Sequence, residues 1–269
     1  MNFNRILSVV LRQFYLFRGN LQRCVNLFIW VIVDIILWGF MTHYLNGIAG
    51  SSGSTYNFVP AILGAVLLWN FLIRVMNGVS MSFMEDSWSR NFLNIFASPI
   101  SVGEYVSGLV LSSIATSLIS LVIMVILATG IFGLSIFAYG WMMLPFLFVL
   151  FLSGIALGIF AISLMMRYGP AAEFLVWPLP AMFSPFVGVF YPLSTLPHWM
   201  QLVGHALPPS YVFENIRSIV ANHNASAVSL LLGIGLAFFY IALACLFFMR
   251  VYRKVVRTGQ LARYSAEGS

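Results

Sequence analysis

The sequence predicts an all-α polytopic membrane protein: six transmembrane helices, an N-terminal amphipathic interfacial helix, and external re-entrant helices between spans five and six. Three observations carry this reading. Hydrophobic residues make up 61% of the 269 and charged residues only 7%, with a mean hydropathy of +0.97, too little polar surface to cover a water-soluble globule. Apolar runs long enough to cross a bilayer recur along the chain, each bounded by charges, Pro or Gly. The 13 Lys and Arg residues are distributed lopsidedly about those runs, so the net charge of +6 reads as membrane topology rather than as a nucleic-acid footprint.

The expected spans are Leu27 to Tyr44, Phe58 to Phe83, Tyr105 to Phe132, Trp141 to Met166, Phe174 to Tyr191 and Ala227 to Met249. The third and fourth are joined by a short uncharged stretch around Gly133 and Gly140, which suits a tight turn. The fifth holds Pro178, Pro180 and Pro185, and each Pro removes a backbone donor, so a bend or break is expected there. Arg5, Arg12, Arg18 and Arg23 precede span one, Arg90 and Arg167 fall in the second-to-third and fourth-to-fifth loops, and Arg250, Arg253, Lys254, Arg257 and Arg263 follow span six. Only Arg217 falls on the other side, and Arg74 lies within a span. Both termini are therefore expected in the cytoplasm, which requires an even number of crossings. No internal repeat relates the two halves, which leaves an inverted-repeat carrier without support.

Three segments are not spans. From Phe3 to Leu21 the apolar residues Leu7, Val10, Leu11, Phe14, Phe17 and Leu21 recur at helical spacing, with Arg5, Ser8 and Arg12 on another face, the pattern of a helix lying on the cytoplasmic membrane surface. In the loop 84–98, Trp88, Phe92, Ile95 and Phe96 fall at helical spacing ahead of Pro99 and behind Glu85 and Asp86. Bulky apolar residues on a water-facing side either dock into a partner or pack back onto neighbouring spans. The external stretch 192–222 contains Pro197, Trp199, Pro208 and Pro209; it is too apolar for a free loop and too Pro-rich for a full span, so it is expected to re-enter the outer leaflet as short helices. Glu214 and Arg217 sit at i, i+3 within it. The segment 250–269 reads as a basic cytoplasmic tail.

Chemistry is sparse. Lys254, the one lysine, lacks the G-x-x-x-x-G-K-[ST] context, so the chain has no P-loop. H-E-x-x-H is absent, and His198 and His205 lack a third ligand, so no metal is expected. Cys24 and Cys245 carry no redox motif and read as buried thiols. Gly50-Ser51-Ser52-Gly53 has the G-x-S-G form of rhomboid-type intramembrane proteases, but it lies in a polar loop and the sixth span has no histidine to serve as base. Gly154 and Gly158 form a G-x-x-x-G in span four that permits close helix approach. Asp34 and Arg74 are the acidic and basic residues deep in the expected spans, seven and nine residues from the cytoplasmic ends of spans one and two. At about 1.5 Å per residue both sit roughly 10 to 14 Å deep, and a structural ion pair is favoured over a proton relay.

The stretch Ser184 to Gln201, with Leu207-Pro208-Pro209-Ser210 and Arg217 after it, resembles the C-terminal signature of type-2 ABC exporter permeases: a Pro-containing fifth helix, Leu-Pro, then Pro and Arg. Glu85-Asp86 leading to Ala97-Ser98-Pro99-Ile100-Ser101 similarly resembles that family's cytoplasmic loop. The resemblance implies that Met84 to Ser98 is a coupling helix docking on a separate nucleotide-binding ATPase subunit, and that Phe3 to Leu21 is a connecting helix. It also implies a homodimer of permeases in the bacterial inner membrane, with ATP and Mg on the partner subunit and spans one and five near the dimer axis. Asp34 departs from the Pro or apolar residue of many relatives, which leaves the lining of the pathway open. Expected cargo is an amphipathic molecule, a lipid-linked glycan or polysaccharide or a hydrophobic drug. The rival readings are an ion-coupled carrier using Asp34 and Arg74, and a non-transporting assembly factor.

Overall fold

A computed structural model describes residues 2–19, 21–51, 57–89, 95, 98–169, 172–221 and 224–258. No strand occurs among them. The helices are α1 (Phe3–Gly19), α2 (Leu21–Ser51), α3 (Gly64–Trp88, preceded by a π turn at Val59–Leu63), α4 (Val102–Phe132), α5 (Met143–Tyr168), α6 (Glu173–Val176), α7 (Leu179–Val187), α8 (His198–Ala206), α9 (Pro208–Val220) and α10 (Ala227–Arg257).

Five helical stretches are long and apolar enough to cross a membrane: Ile29–Gly50, Val59–Trp88, Val102–Phe132, Phe137–Tyr168 and Ala227–Arg257. They correspond to expected spans one to four and six, so the chain is a multi-pass membrane protein. The expected fifth span instead forms two short helices of 4 and 9 residues, α6 and α7. Proline dictates the break. Pro178 caps α7, and Pro185 inside it has no N–H for the Ala181 carbonyl, which accepts the Ser184 hydroxyl instead (3.2 Å).

α3 is the central pillar: 78% of its most apolar window is buried, against 22% for α2, which lies on the periphery. The α5 glycines explain one of its contacts. A Cβ on Gly154 would stand 2.7 Å from Val75 Cβ, and one on Gly158 2.8 Å from Val79 Cβ, so α5 reaches α3 only because both side chains are absent. The pairs 154 with 75 and 158 with 79 advance together, so α3 and α5 run parallel. Phe148 with Phe238 and Phe160 with Phe247 show that α5 and α10 also run parallel. α4 runs antiparallel to α3, its Ser113 filling the notch at Gly78 while Tyr105 meets Phe83. A capping box between Ser101 and Glu104 starts α4, and Gly133 ends it with φ 66°.

The amphipathic N-terminal helix is present as α1, and Gly108 of α4 supplies its seat: a Cβ there would stand 2.6 Å from Val9 Cβ. Val9 and Gln13 are buried against the bundle, while Phe3, Leu7, Leu11 and Phe14 form a separate exposed apolar stripe. One edge of α1 thus grips protein and the next is left for the bilayer.

Candidate functional site

The end of the bundle that carries α1 is built around a carboxylate. Asp86 is only 1% exposed. One of its oxygens accepts from Arg12 Nη1 (2.9 Å) and from the Tyr105 hydroxyl (2.6 Å), and the other accepts from Arg12 Nη2. The fork joins α1, α3 and α4. Hydrogen bonding to Asp86 outweighs burial and raises the Arg12 pKa above its ordinary value, so the guanidinium stays charged. A second tie lies about two turns back along α1, where Glu104 accepts from the Asn2 backbone (2.6 Å) and lies 3.7 Å from Arg5.

This geometry corrects one expectation. Asp86, assigned with Glu85 and Trp88 to a partner-facing helix 84–98, points into the protein, because α3 continues through Trp88 and turns its last acidic residue toward α1 and α4. Trp88, two residues on, points the other way and is 51% exposed. Ile95 is buried, and Phe92 and Phe96 lie outside the described residues, as do Arg90, Ser52 and the tail beyond Thr258.

Asp34 of α2 and Arg74 of α3 are near enough to act on each other electrostatically, and the ion pairs found among the described residues do not include them. Asn70, one turn from Arg74, lies beside Asp34 and donates to the Val66 carbonyl (3.1 Å). Level with them on α4, Ser117 and Ser120 are buried with unpartnered hydroxyls. The middle of α2, α3 and α4 therefore holds a polar seam rather than a closed pair.

The expected external region is a helical hairpin. A 3-10 turn at Leu193–Thr195 leads to Pro197, α8 with its exposed Trp199, and then α9, which begins at Pro208 and Pro209. Arg217 closes the hairpin: Nη1 donates to the Gly188 carbonyl (2.7 Å) and Nη2 to Glu214 (2.8 Å), which also accepts from the Leu193 backbone (2.8 Å). Gly188 can cap α7 because its φ of 69° is left-handed. Asn215 ties α9 to α10 by accepting from the Ser226 backbone and donating to Ser229, both at 2.7 Å. Arg217→Ala is expected to cost about 2 kcal/mol in a thermal melt, because the Gly188 carbonyl loses its donor and Glu214 its charged one, keeping only the Leu193 N–H; Arg217→Lys should restore only part of this.

The hairpin tip reaches the bundle interior. Phe213 meets Trp69 edge to face with centroids 6.1 Å apart, and Pro208 and Pro209 line a cavity of about 390 Å³ bounded by α3, α5, α7 and α10. Its walls are hydrocarbon apart from Ser153, Tyr240 and Arg250. Among the described residues no cluster could hold a metal ion.

The sequence matches the ABC-2 type transporter family over residues 6–221, which takes in the anchored surface helix, the hairpin and the bundle apart from α10. The chain belongs to that family and is an ABC transporter permease subunit, a transport component whose relatives normally work with a nucleotide-binding ATPase partner. No curated protein matches the chain.

Proposed function

We propose that this chain is the membrane half of an ATP-driven exporter in the bacterial inner membrane, moving an amphipathic substrate outward while a separate subunit hydrolyses ATP. The observation that carries this beyond family membership is the α1 end of α3. Trp88 projects from a helix end that the Arg12–Asp86–Tyr105 fork holds rigidly against α1 and α4. A push on Trp88 is thereby transmitted to three helices at once, as coupling to a moving ATPase requires. ATP and Mg would sit on that partner.

Six crossings fit the helix directions. α5 and α10 run parallel, so the chain between Tyr168 and Ala227 has to pass from one end of the bundle to the other. The run 172–191 supports that passage: Ala172 is buried beside the end of α5, Phe183 and Val187 line the cavity, and Phe190 stacks on Trp38 of α2 at 4.5 Å. In this reading the α1 end is cytoplasmic, both termini lie there, and α8–α9 re-enters from outside. The exposed apolar faces of α2 (Trp30, Leu37, Phe40) and of α6–α7 (Phe174, Trp177, Met182) suit a second permease copy across a homodimer axis. Asp34 and Arg74 lie in α2 and α3 beside that axis and serve the pathway or its packing.

Purification of the tagged chain from its own cells should bring down a subunit with a P-loop. Trp88→Asp should cut its recovery about tenfold or more, since burying a carboxylate at an apolar contact is strongly disfavoured. Undiminished recovery would remove the coupling assignment. A chain that purifies alone and moves solute on a proton gradient would favour the ion-coupled reading.

A further inference from the structure

The cavity beside the hairpin tip has the form of a site for one charged lipid. It is open toward the bilayer, because Leu243 and Leu246, on its α10 wall, are each 49% exposed. It is also elongated along the membrane normal. Tyr240 and Arg250 both line it, and ten residues of helix separate them by about 15 Å. At the deep end stand Pro208 and Pro209; at the α1 end stands Arg250, the one charged residue in its wall. Ser153 is spoken for by the Val149 carbonyl (2.8 Å). Arg250 has no ion pair and no hydrogen bond among the described residues.

A volume of about 390 Å³ falls within the range of small-molecule sites. An apolar helix of a partner or second copy would fill the walls but offer no acceptor to the Arg250 guanidinium, which is exposed at the α1 end of the cavity. A soluble anion would satisfy Arg250 and leave the walls empty. We infer that this cavity binds an anionic phospholipid, one acyl chain running between α5 and α10 to the Pro208–Pro209 tip and the phosphate pairing with Arg250. Arginine suits the task, since its planar fork matches two phosphate oxygens at once. The bound chain backs the hairpin tip at Pro208 and Pro209 and so stiffens it. The lipid assignment itself needs only a bilayer and stands or falls apart from ATP coupling.

The test is native mass spectrometry of the full-length chain released from micelles doped with phosphatidylglycerol or with phosphatidylcholine of the same acyl chains. One phosphatidylglycerol should be retained in preference to phosphatidylcholine by at least about fivefold, the worth of one basic residue near a lipid phosphate. Arg250→Gln should bring that ratio to about one, Arg250→Lys should keep most of it, and Arg253→Gln, outside the cavity wall, should leave it unchanged. Leu243→Trp on the exposed rim and Ala156→Phe on the inner wall should each lower retention of both lipids, the first without risk to the core. Equal retention of the two lipids by the native chain, or a ratio untouched by Arg250→Gln, overturns the inference. Displacement of the lipid by glycerol phosphate at equal concentration would overturn the part assigned to the acyl chain.

Discussion

Asp86→Ala is expected to release α1 from the bundle and to lower stability by about 3 kcal/mol, because removing the carboxylate of a buried charged network leaves the Arg12 guanidinium without its counter-charge. Arg12 loses both carboxylate oxygens and Tyr105 loses its bond to Asp86, and Ala offers nothing in return. Asp86→Asn keeps the size and one acceptor and should cost roughly half as much, while Tyr105→Phe should cost about 1 kcal/mol. The readouts are the melting temperature in detergent and trypsin cleavage after Arg12 and Arg18, which should accelerate in the alanine variant. Unchanged cleavage would show that Glu104 and the Gly108 seat suffice to hold α1. Trp88→Ala at the same helix end should leave both readouts alone, since its side chain is exposed.

Gly154→Leu should be worse still. A Cβ at that position already meets Val75 Cβ at 2.7 Å and the Leu72 carbonyl oxygen at 2.9 Å, so even Ala forces two packed helices apart. The Leu72 oxygen belongs to backbone and cannot swing aside. Overpacking of this kind costs about 3 kcal/mol or more, and here it parts α5 from the pillar α3. Most of the expressed chain should be degraded or run in the void volume on gel filtration. Gly130→Leu is the matched control: a Cβ there meets nothing within 4 Å, and it should behave as the native protein.

How much of this was legible in the sequence differs by kind of feature. The long spans were readable because length and hydropathy are properties of single segments, and helix α1 because its period holds for several turns. The G-x-x-x-G at Gly154 and Gly158 signalled a close approach, though only the fold shows that α3 is what approaches. The broken fifth segment was foreshadowed by Pro178, Pro180 and Pro185, whose effect on the backbone is local. Asp86 was misread for the opposite reason. Its role depends on Arg12, which is 74 residues away and reaches it only because α1 folds back onto α4. The one available signal was an Arg on the polar face of α1 without a partner on its own helix. Asp34 and Arg74 were expected at similar depth, but depth fixes height and not rotation about the helix axis, so how their side chains meet could not be read. Arg217 was visible as an isolated external cation; that it caps the Gly188 carbonyl depends on a hairpin formed from two segments.

The central claim is that this permease has no motive power of its own and works only through a nucleotide-hydrolysing partner at its α1 end. Reconstitution of the purified chain into vesicles, with and without the copurifying P-loop subunit, tests it most directly, with outward movement of a fluorescent amphiphile as the readout. Movement should require both subunits and hydrolysable ATP, and Trp88→Asp should abolish it. Transport by the chain alone, driven by an ion gradient and indifferent to ATP, would contradict the account.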